Sequence, residues 1–344
     1  MNFRVETIGG SLEEWECYVA SNPAASNYHR AAWKRIIERS FGHRTYYLAA
    51  TNGNGRIIGV LPLVYMSSKL FGSFLVSLPF FNYGGVLADS VEAEKVLIDG
   101  ANKLMVRLGA THVELRHRET TIASLQAKQH KVTMILKLES TADAQWKNFN
   151  SKLRNQIRKP EKCGLEPQIG GIELLDGFYE VFTRNMRDLG TPVYGKDFFR
   201  NVLNELPRET RIVAVSYEGK TIAAGIATWF RDTMEIPWAS SISDYKSMCP
   251  NNMLYWEAIK LAIGKGFTRF DFGRSTPDEG TFNFKKQWGA EPVPLYWQYL
   301  LQEGRSFPEL NLKNPKFNLA IKIWQKLPLA VTNVIGPGIV RNIP

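Results

Sequence analysis

The same order of secondary-structure signals occurs twice along the chain, and this internal duplication constrains the fold more than any other feature. In the first half, a helical pattern at 31–40 precedes two strand patterns at 45–50 and 57–65, joined by an Asn-Gly-Asn-Gly turn. A long helical pattern at 92–108 and a strand pattern at 112–116 follow. The apolar spacing therefore predicts an α/β unit in the order helix, strands, helix, strand.

The second half repeats this order. Its predicted elements are helices at 178–188 and 198–206, strands at 211–217, 221–230 and 234–240, a helix at 253–264 and a strand at 269–272. In each half the long helix stops at a glycine, Gly109 or Gly266, directly before the last strand. The duplication predicts an α/β fold with mixed (α+β) sheets. Its expected parts are tandem domains at 1–145 and 166–305, a basic linker or arm at 146–165 and a tail at 306–344.

Composition excludes several classes of protein. With 344 residues, 44% of them hydrophobic, the chain can bury a large core. Its three cysteines lie far apart and its five histidines form no ligand pattern, so neither a disulfide framework nor a metal site is expected. The amino terminus lacks the apolar segment of a signal peptide, which favours a cytoplasmic protein. A net charge of +10 indicates an anionic partner such as RNA, a nucleotide-linked sugar or a lipid headgroup.

Positive charge is concentrated between the two predicted domains. Four-residue spacing places Arg154, Arg158 and Lys162 on one face of a helix, and Pro160 should end or kink that helix near Lys159. This face either binds phosphate groups or is simply solvated. The residues expected to contact a phosphate backbone are Lys152, Arg154, Arg158 and Lys159.

The tail mixes apolar and basic residues. Trp324 and Leu327 alternate with Lys322 and Lys326, which is typical of segments that lie on a membrane surface or pack against their own domain. Pro328 and the Gly-Pro-Gly run at 336–338 should prevent one long helix. Because it mixes apolar and basic residues, the tail could hold the protein at the inner face of the membrane.

Polar residues end the last predicted strand of the second half. Asp271 and Arg274 lie at its carboxyl end, and a basic, aromatic loop at 282–289 follows. Open α/β sheets bind ligands outside the carboxyl ends of their strands, so this edge is a candidate site. An ion pair between Asp271 and Arg274 that merely holds the turn is the alternative.

The chain resembles FemAB-type proteins, specifically the branch associated with exopolysaccharide and protein-sorting (exosortase, PEP-CTERM) gene clusters. The motifs that carry the resemblance are Tyr28-His29-Arg30 with Trp33, Phe41-Gly42-His43-Arg44, Gly59-Val60-Leu61-Pro62-Leu63, Ser77-Leu78-Pro79-Phe80 with Tyr83-Gly84-Gly85, residues 185–192, Asp271-Phe272-Gly273-Arg274-Ser275, Phe284-Lys285 and residues 336–342. The resemblance implies two tandem acyltransferase domains of the GNAT type. It also implies transfer of an amino acid from aminoacyl-tRNA to an amine of a cell-wall precursor peptide. In this branch the acceptor would be an exopolysaccharide or a lipid-linked sugar instead of a peptide.

The resemblance and the chemistry of acyl transfer together suggest roles for individual residues. Lys285 resembles the family's substrate-contacting lysine and would steady the oxyanion or a donor phosphate. Asp271 would position or deprotonate the amine, and Arg274 would grip a phosphate or carboxylate. The remaining expected substrate contacts are Arg116, Tyr28, His29, Trp33, Asn82, Tyr83 and Phe284.

Two other functions compete with this one. An acyl-CoA-dependent N-acyltransferase acting on an amino sugar would need a glycine-rich pyrophosphate loop before the long helix. The loops at 84–89 and 243–251 lack the Arg/Gln-x-x-Gly-x-Gly/Ala pattern. A non-catalytic protein that binds polysaccharide or an assembly partner is the third reading. No cofactor is expected beyond the donor itself, aminoacyl-tRNA or acyl-CoA.

Overall fold

A computed structural model describes residues 3–8, 12–68, 72–119, 121–302, 304, 307 and 315–343. The chain forms two compact units. The first unit comprises Met1–Lys131, Pro294–Leu310 and Arg341–Pro344, and the second comprises Val132–Val293 and Asn311–Val340. The boundary therefore lies at 131 instead of the expected 145, because the strand from 132 onward pairs with second-unit residues. The segment 146–165, expected as a linker or arm, belongs to the second unit.

The first unit follows the predicted order, with short additions at its amino terminus. Its elements are β1 (Arg4–Thr7), α1 (Glu13–Ser21), α2 (Ala32–Phe41), β2 (Arg44–Thr51), β3 (Ile57–Ser68), β4 (Gly72–Val76), β5 (Leu87–Ala88), α3 (Val91–Leu108) and β6 (His112–Arg118). The strand order is β1-β2-β3-β4-β6, and residues 295–301 of β13 (Glu291–Leu301) add a strand beside β6. Helix α3 buries Leu97, Ala101 and Leu104 against this sheet.

The second unit repeats the arrangement with more helices. Its elements are α4 (Ala142–Asn148), α5 (Ser151–Lys162), β8 (Glu166–Gly170), α6 (Leu175–Asp188), α7 (Lys196–Glu205), β9 (Thr210–Tyr217), β10 (Lys220–Phe230), β11 (Thr233–Ser241), α8 (Pro250–Gly264), β12 (Arg269–Ser275), α9 (Gly280–Lys286), α10 (Pro315–Lys326) and α11 (Leu329–Val340). Residues 132–137 of β7 (Gln126–Lys137) begin its sheet, in the order β7-β12-β11-β10-β9-β8. Helix α8 buries Leu254, Ala258 and Ala262 in the core.

Among the described residues, each unit contains one parallel pair of strands, and the other strand pairs described within it are antiparallel. In the first unit the pair is β4 with β6, and the chain crosses between them through α3. In the second unit it is β11 with β12, and the chain crosses through α8. A parallel pair requires such a crossover, so the shared pattern confirms the duplication predicted from the sequence.

Three local predictions need correction. Helix α5 continues through Pro160, because this residue lies in the last turn and its missing N–H removes a single backbone hydrogen bond. The segment at 282–289, predicted as a loop, begins within the short helix α9. In the tail, Pro328 separates α10 from α11, but α11 runs through the Gly-Pro-Gly segment to Val340. The part of the tail at 308–314 lies outside the described residues.

Candidate active site

In the second unit, the regular pairing of β12 with its neighbouring strands is interrupted after Asp271. The parallel pairing of β12 with β11 covers Arg269–Asp271, and β12 itself continues to Ser275. On the other edge, the register with β7 shifts between Asp271 and Arg274. Gly273 lies within this bulge with φ of +76°, a conformation that residues with a Cβ rarely adopt. We call residues 271–274 the β12 bulge.

Asp271 holds the β12 bulge from the inside. Its side chain is fully buried, and its Oδ1 accepts hydrogen bonds from the Thr133 hydroxyl at 2.5 Å and from the Gly273 N–H at 2.7 Å. The bond to Gly273 fixes the backbone where the register shifts. The carboxylate was expected to face a cleft and to position or deprotonate an amine; it is instead completely buried, and these two bonds hold the backbone of the bulge.

Lys285 reaches the outer side of the same bulge from α9. Its Nζ donates to the carbonyl oxygens of Gly273 at 3.0 Å and Arg274 at 2.9 Å, and the residue is 8% exposed. An ammonium group has three hydrogens, and the contacts within the described residues use two of them. Burial lowers the pKa of Lys285 to about 8, although the charge of Asp271 opposes this shift; the charge of Arg274 adds to it.

The other two predicted residues of this region lie beside Lys285 in sequence or space. The side chain of Arg274 is exposed, as expected of a group that could meet an anion. Phe284 is half-buried, and its ring packs against Tyr255 of α8 at 5.5 Å and Trp288 at 6.3 Å between centroids. Phe284 therefore anchors α9 on α8 and so fixes the position of Lys285.

A solvent-open cavity of about 530 Å³ lies where α5 meets the start of α8. The residues that line it are Ser151, Lys152, Asn155, Gln156, Lys159 and Cys249, and we call it the α5 cavity. Its volume is in the range of small-ligand pockets, roughly 300–1,000 Å³. The five α5 residues recur at intervals of one, three and four positions, which places them along one face of the helix.

The start of α8 differs from that of the corresponding helix α3. Helix α3 is capped by the Ser90 side chain and carries Glu92 and Glu94 in its first turn. Helix α8 begins after Cys249, has no side-chain cap and has no acidic residue in its first turn. The positive end of the α8 dipole is therefore not neutralised by its own sequence.

Few backbone N–H groups are available at this helix start. The Cys249 N–H donates to Lys246, Pro250 has no N–H, and the Asn252 N–H donates back to Cys249. An anion in the α5 cavity would therefore be bound mainly by side chains, above all by Lys152 and Lys159.

The four predicted phosphate contacts separate into two groups. Lys152 and Lys159 line the α5 cavity. Arg158 is exposed, and its guanidinium stacks over Trp146 at 5.1 Å from the ring centroid, while Arg154 is half-buried. The predicted stripe of Arg154, Arg158 and Lys162 thus forms, but it lies on a different face of α5 from the cavity.

The comparisons with known proteins agree with this geometry. Residues 147–286 match the model of the GNAT acetyltransferase domain family, a stretch that contains the α5 cavity, the β12 bulge and Lys285. The structure is similar to that of FemX, with a TM-score of 0.66 and 15% identity over 85% of this chain and 96% of that chain. It is also similar to a tandem GNAT protein from the clavulanic acid biosynthesis pathway, with a TM-score of 0.56 and 10% identity over 89% and 99% of the two chains. The fold is a tandem GNAT fold.

A third similar structure is the C-terminal domain of a protein from Agrobacterium fabrum described as a lysylphosphatidylglycerol synthetase. Its TM-score is 0.57, with 11% identity over 85% of this chain and 91% of that chain. No sequence among curated proteins matches this chain.

In the first GNAT unit, the strand that corresponds to β12 carries a closed ion pair. Arg116 is 1% exposed, and its Nε donates to Glu114 at 2.7 Å while Nη1 donates to the Phe81 carbonyl at 2.7 Å. Tyr299 donates to the second Glu114 oxygen at 3.0 Å. Arg116 was expected to contact substrate, but its burial and these bonds make it part of the first unit's framework.

Most of the other predicted acceptor contacts are also buried in the first GNAT unit. Tyr28 and Trp33 are fully buried and pack on Phe81, and Tyr83 is 6% exposed. His29 accepts from Ser26 N–H at 3.0 Å, and burial lowers its pKa to about 4. Asn82 alone of this group is half-buried. Apart from Asn82, these residues pack inside the unit, and a role for Asn82 in acceptor binding stays a prediction.

Sequence reasoning missed several residues of the second GNAT unit. Asn155, Gln156 and Cys249 line the α5 cavity, and their helical spacing from Lys152 was the available signal for the first two. Glu235 was also missed. It lies in register with Asp271 at the end of the parallel pairing and is 5% exposed, and a carboxylate inside an apolar strand was the signal for it.

Proposed function

We propose that this chain is an acyltransferase that moves an aminoacyl group from aminoacyl-tRNA to an amine of a cell-envelope or exopolysaccharide precursor. The observation that carries the proposal is the clamped ammonium of Lys285. Two carbonyls of the β12 bulge fix its Nζ, and the contacts within the described residues leave its third N–H for a ligand. The match of residues 147–286 to the GNAT acetyltransferase family supports acyl transfer as the reaction class.

Lys285 is suited to stabilise the charge that acyl transfer creates. The acceptor amine attacks the donor's carbonyl carbon, the new C–N bond forms, and negative charge develops on the carbonyl oxygen before the C–O bond to the tRNA ribose breaks. A fixed, partly desolvated N–H donor stabilises that oxygen without having to reorganise. The amine's proton passes, directly or through water, to the departing ribose oxygen, since the buried Asp271 is not placed to accept it.

The α5 cavity favours a donor recognised by side chains over acyl-CoA. Binding of a pyrophosphate by a GNAT helix start relies on free backbone N–H groups, and most of those at 249–252 are already used or missing. The long side chains of Lys152 and Lys159 instead place two ammonium groups where they can contact a phosphate backbone. One similar structure is described as a lysylphosphatidylglycerol synthetase, a name that denotes a lysyl-bearing product. This description also favours aminoacyl-tRNA as the donor.

Charge reversal in the α5 cavity is expected to weaken donor binding. Lys152→Glu with Lys159→Glu should lower the affinity for aminoacyl-tRNA about tenfold or more and reduce the slope of log affinity against log salt. The matched control is Arg154→Glu with Arg158→Glu, which changes charge equally on the other face of α5. Filter binding across a salt series measures both. Equal losses in the two variants would assign tRNA attraction to the overall charge of α5 and not to the cavity.

The pH dependence of turnover tests the protonation state of Lys285. Because the pKa of Lys285 is lowered to about 8, the ammonium form predominates below that pH and is lost above it. If the charged form stabilises the oxyanion, turnover should fall as pH rises through about 8. Lys285→Arg, which stays charged, should lose this alkaline decline even if its turnover is lower. A rise in turnover over the same range that disappears in Lys285→Arg would instead make Lys285 a base, whereas a rise that persists in this variant would report deprotonation of the acceptor amine.

A further inference from the structure

The carboxyl-terminal helices of the second unit expose apolar side chains. On α10, Leu319 is 60% exposed and Ile323 is 54% exposed. On α11, Val334 is 79% exposed, and Val331, Ile335 and Ile339 are each exposed by about two fifths. Single exposed apolar residues are ordinary, but these recur at helical spacing on two successive helices. We call these six residues the α10–α11 surface.

Opposite faces of the two helices are packed on the second unit. Trp324 is buried on α10, and Ile321 lies against Gly190, where any larger side chain would collide with it. On α11, Gly336 approaches Val193 so closely that an added Cβ would lie 3.0 Å from its side chain. Both helices contact α6. The α10–α11 surface therefore points away from the core because the other faces are already occupied.

The charges carried by these two helices and the residues that follow them have one sign. Residues 315–344 contain four lysines and arginines and no aspartate or glutamate. Lys322 and Lys326 are exposed, and each lies three positions after an exposed apolar residue, Leu319 or Ile323, on the same side of α10. A long lysine side chain can lay its methylene groups on an apolar layer while its ammonium stays among polar headgroups.

We propose that the α10–α11 surface docks on an anionic lipid bilayer, with its aliphatic side chains in the interface and its lysines on the headgroups. A second copy of the chain is a poorer occupant, because two such surfaces would bring like charges together. A protein partner is also disfavoured, since the six exposed residues are all aliphatic, whereas protein interfaces are anchored by aromatic residues and arginine. Within the described residues no helix is long and apolar enough to cross a membrane, so the contact would be interfacial.

Vesicle flotation of the full chain tests this proposal, which goes beyond the proposed function and needs no substrate. The protein should float with phosphatidylcholine vesicles that contain phosphatidylglycerol and much less with phosphatidylcholine alone. Ile323→Gln with Val334→Gln should lower the partition coefficient about tenfold or more, because both side chains lose apolar burial in the interface. Lys322→Glu with Lys326→Glu should lower it by about the same factor on anionic vesicles.

Matched controls come from α3, which also exposes apolar and basic residues. Val91 and Val106 are 60% and 64% exposed, and Val91→Gln with Val106→Gln should leave flotation unchanged. Lys95→Glu with Lys103→Glu is the corresponding charge control. Absence of flotation by the unaltered chain, or equal losses in the controls, would overturn the proposal. It would also be overturned by a dimer in solution that dissociates in the Ile323→Gln, Val334→Gln variant, since the surface would then bind a second copy. Lys285→Ala should float normally, so failure here is separate from failure of the transferase proposal.

Discussion

Replacing Lys285 with alanine is expected to lower turnover by about 10²- to 10³-fold, the usual effect of removing one oxyanion donor. The same change should cost about 1–3 kcal/mol of stability, because the buried Gly273 carbonyl loses its donor, and part of this cost is offset. Burial already disfavours the charged form of this side chain, as its lowered pKa shows, so its removal relieves that penalty while it breaks two hydrogen bonds. Initial rates of acyl transfer and urea unfolding of the same preparations measure the two effects.

Lys286→Ala is the matched control for this variant. Lys286 is the exposed neighbour of Lys285 in α9, and its ammonium lies over the Phe282 ring and not on the β12 bulge. The Lys286→Ala variant should therefore retain nearly full turnover. If Lys285→Ala kept the turnover of the unaltered protein, Lys285 would lose its place in the active site. If both variants lost turnover equally, the effect would belong to the general charge of α9.

Replacing Asp271 with alanine is expected to destabilise the protein by about 2–5 kcal/mol. The change leaves the Thr133 hydroxyl and the Gly273 N–H buried without their acceptor, and each such group costs about 1–3 kcal/mol. Asp271→Asn keeps an acceptor oxygen of the same shape and should lose less. The midpoint of urea unfolding, compared between these variants, measures the difference.

Two further variants make the Asp271 prediction specific. Thr133→Val removes one of the two donors and should lose part of the stability that Asp271→Ala loses. Glu291→Ala removes an exposed carboxylate and should change stability by less than about 0.5 kcal/mol. A stable Asp271→Ala protein that has lost turnover would contradict the positioning role and return Asp271 to direct catalysis.

The duplication could be predicted from the sequence because short-range patterns predict each of the repeated helices and strands. The helix at 92–108 and the strands at 211–217 and 221–230 lie within one or two residues of their predicted bounds. Their apolar spacing, turn glycines and helix stops are all local signals. The Phe284-Lys285 pair was likewise found by resemblance, and the structure places its lysine on the β12 bulge.

Longer-range features could not be predicted in this way. The boundary at 131 depends on β7 and β13. Strand β7 follows the first unit in sequence but pairs with β12 of the second, and β13 follows the second unit but pairs with β6 of the first. No local pattern encodes which strand a residue will pair with. The burial of Asp271 and Arg116 was missed for the same reason, since Asp271 was expected to face a cleft and Arg116 to contact substrate. The partners that bury them, Thr133 for Asp271 and Glu114 for Arg116, become apparent only in the folded sheet.

The most direct test of the proposed function is transfer of a labelled amino acid from a pool of aminoacyl-tRNA to extracted nucleotide-linked and lipid-linked envelope precursors. The unaltered protein should move label to an amine of this fraction, Lys285→Ala should do so about 10²-fold or more slowly, and labelled acyl-CoA should not replace the tRNA. Transfer from acyl-CoA alone would contradict the assignment of the donor. No transfer from either donor by the unaltered chain would contradict the acyltransferase itself.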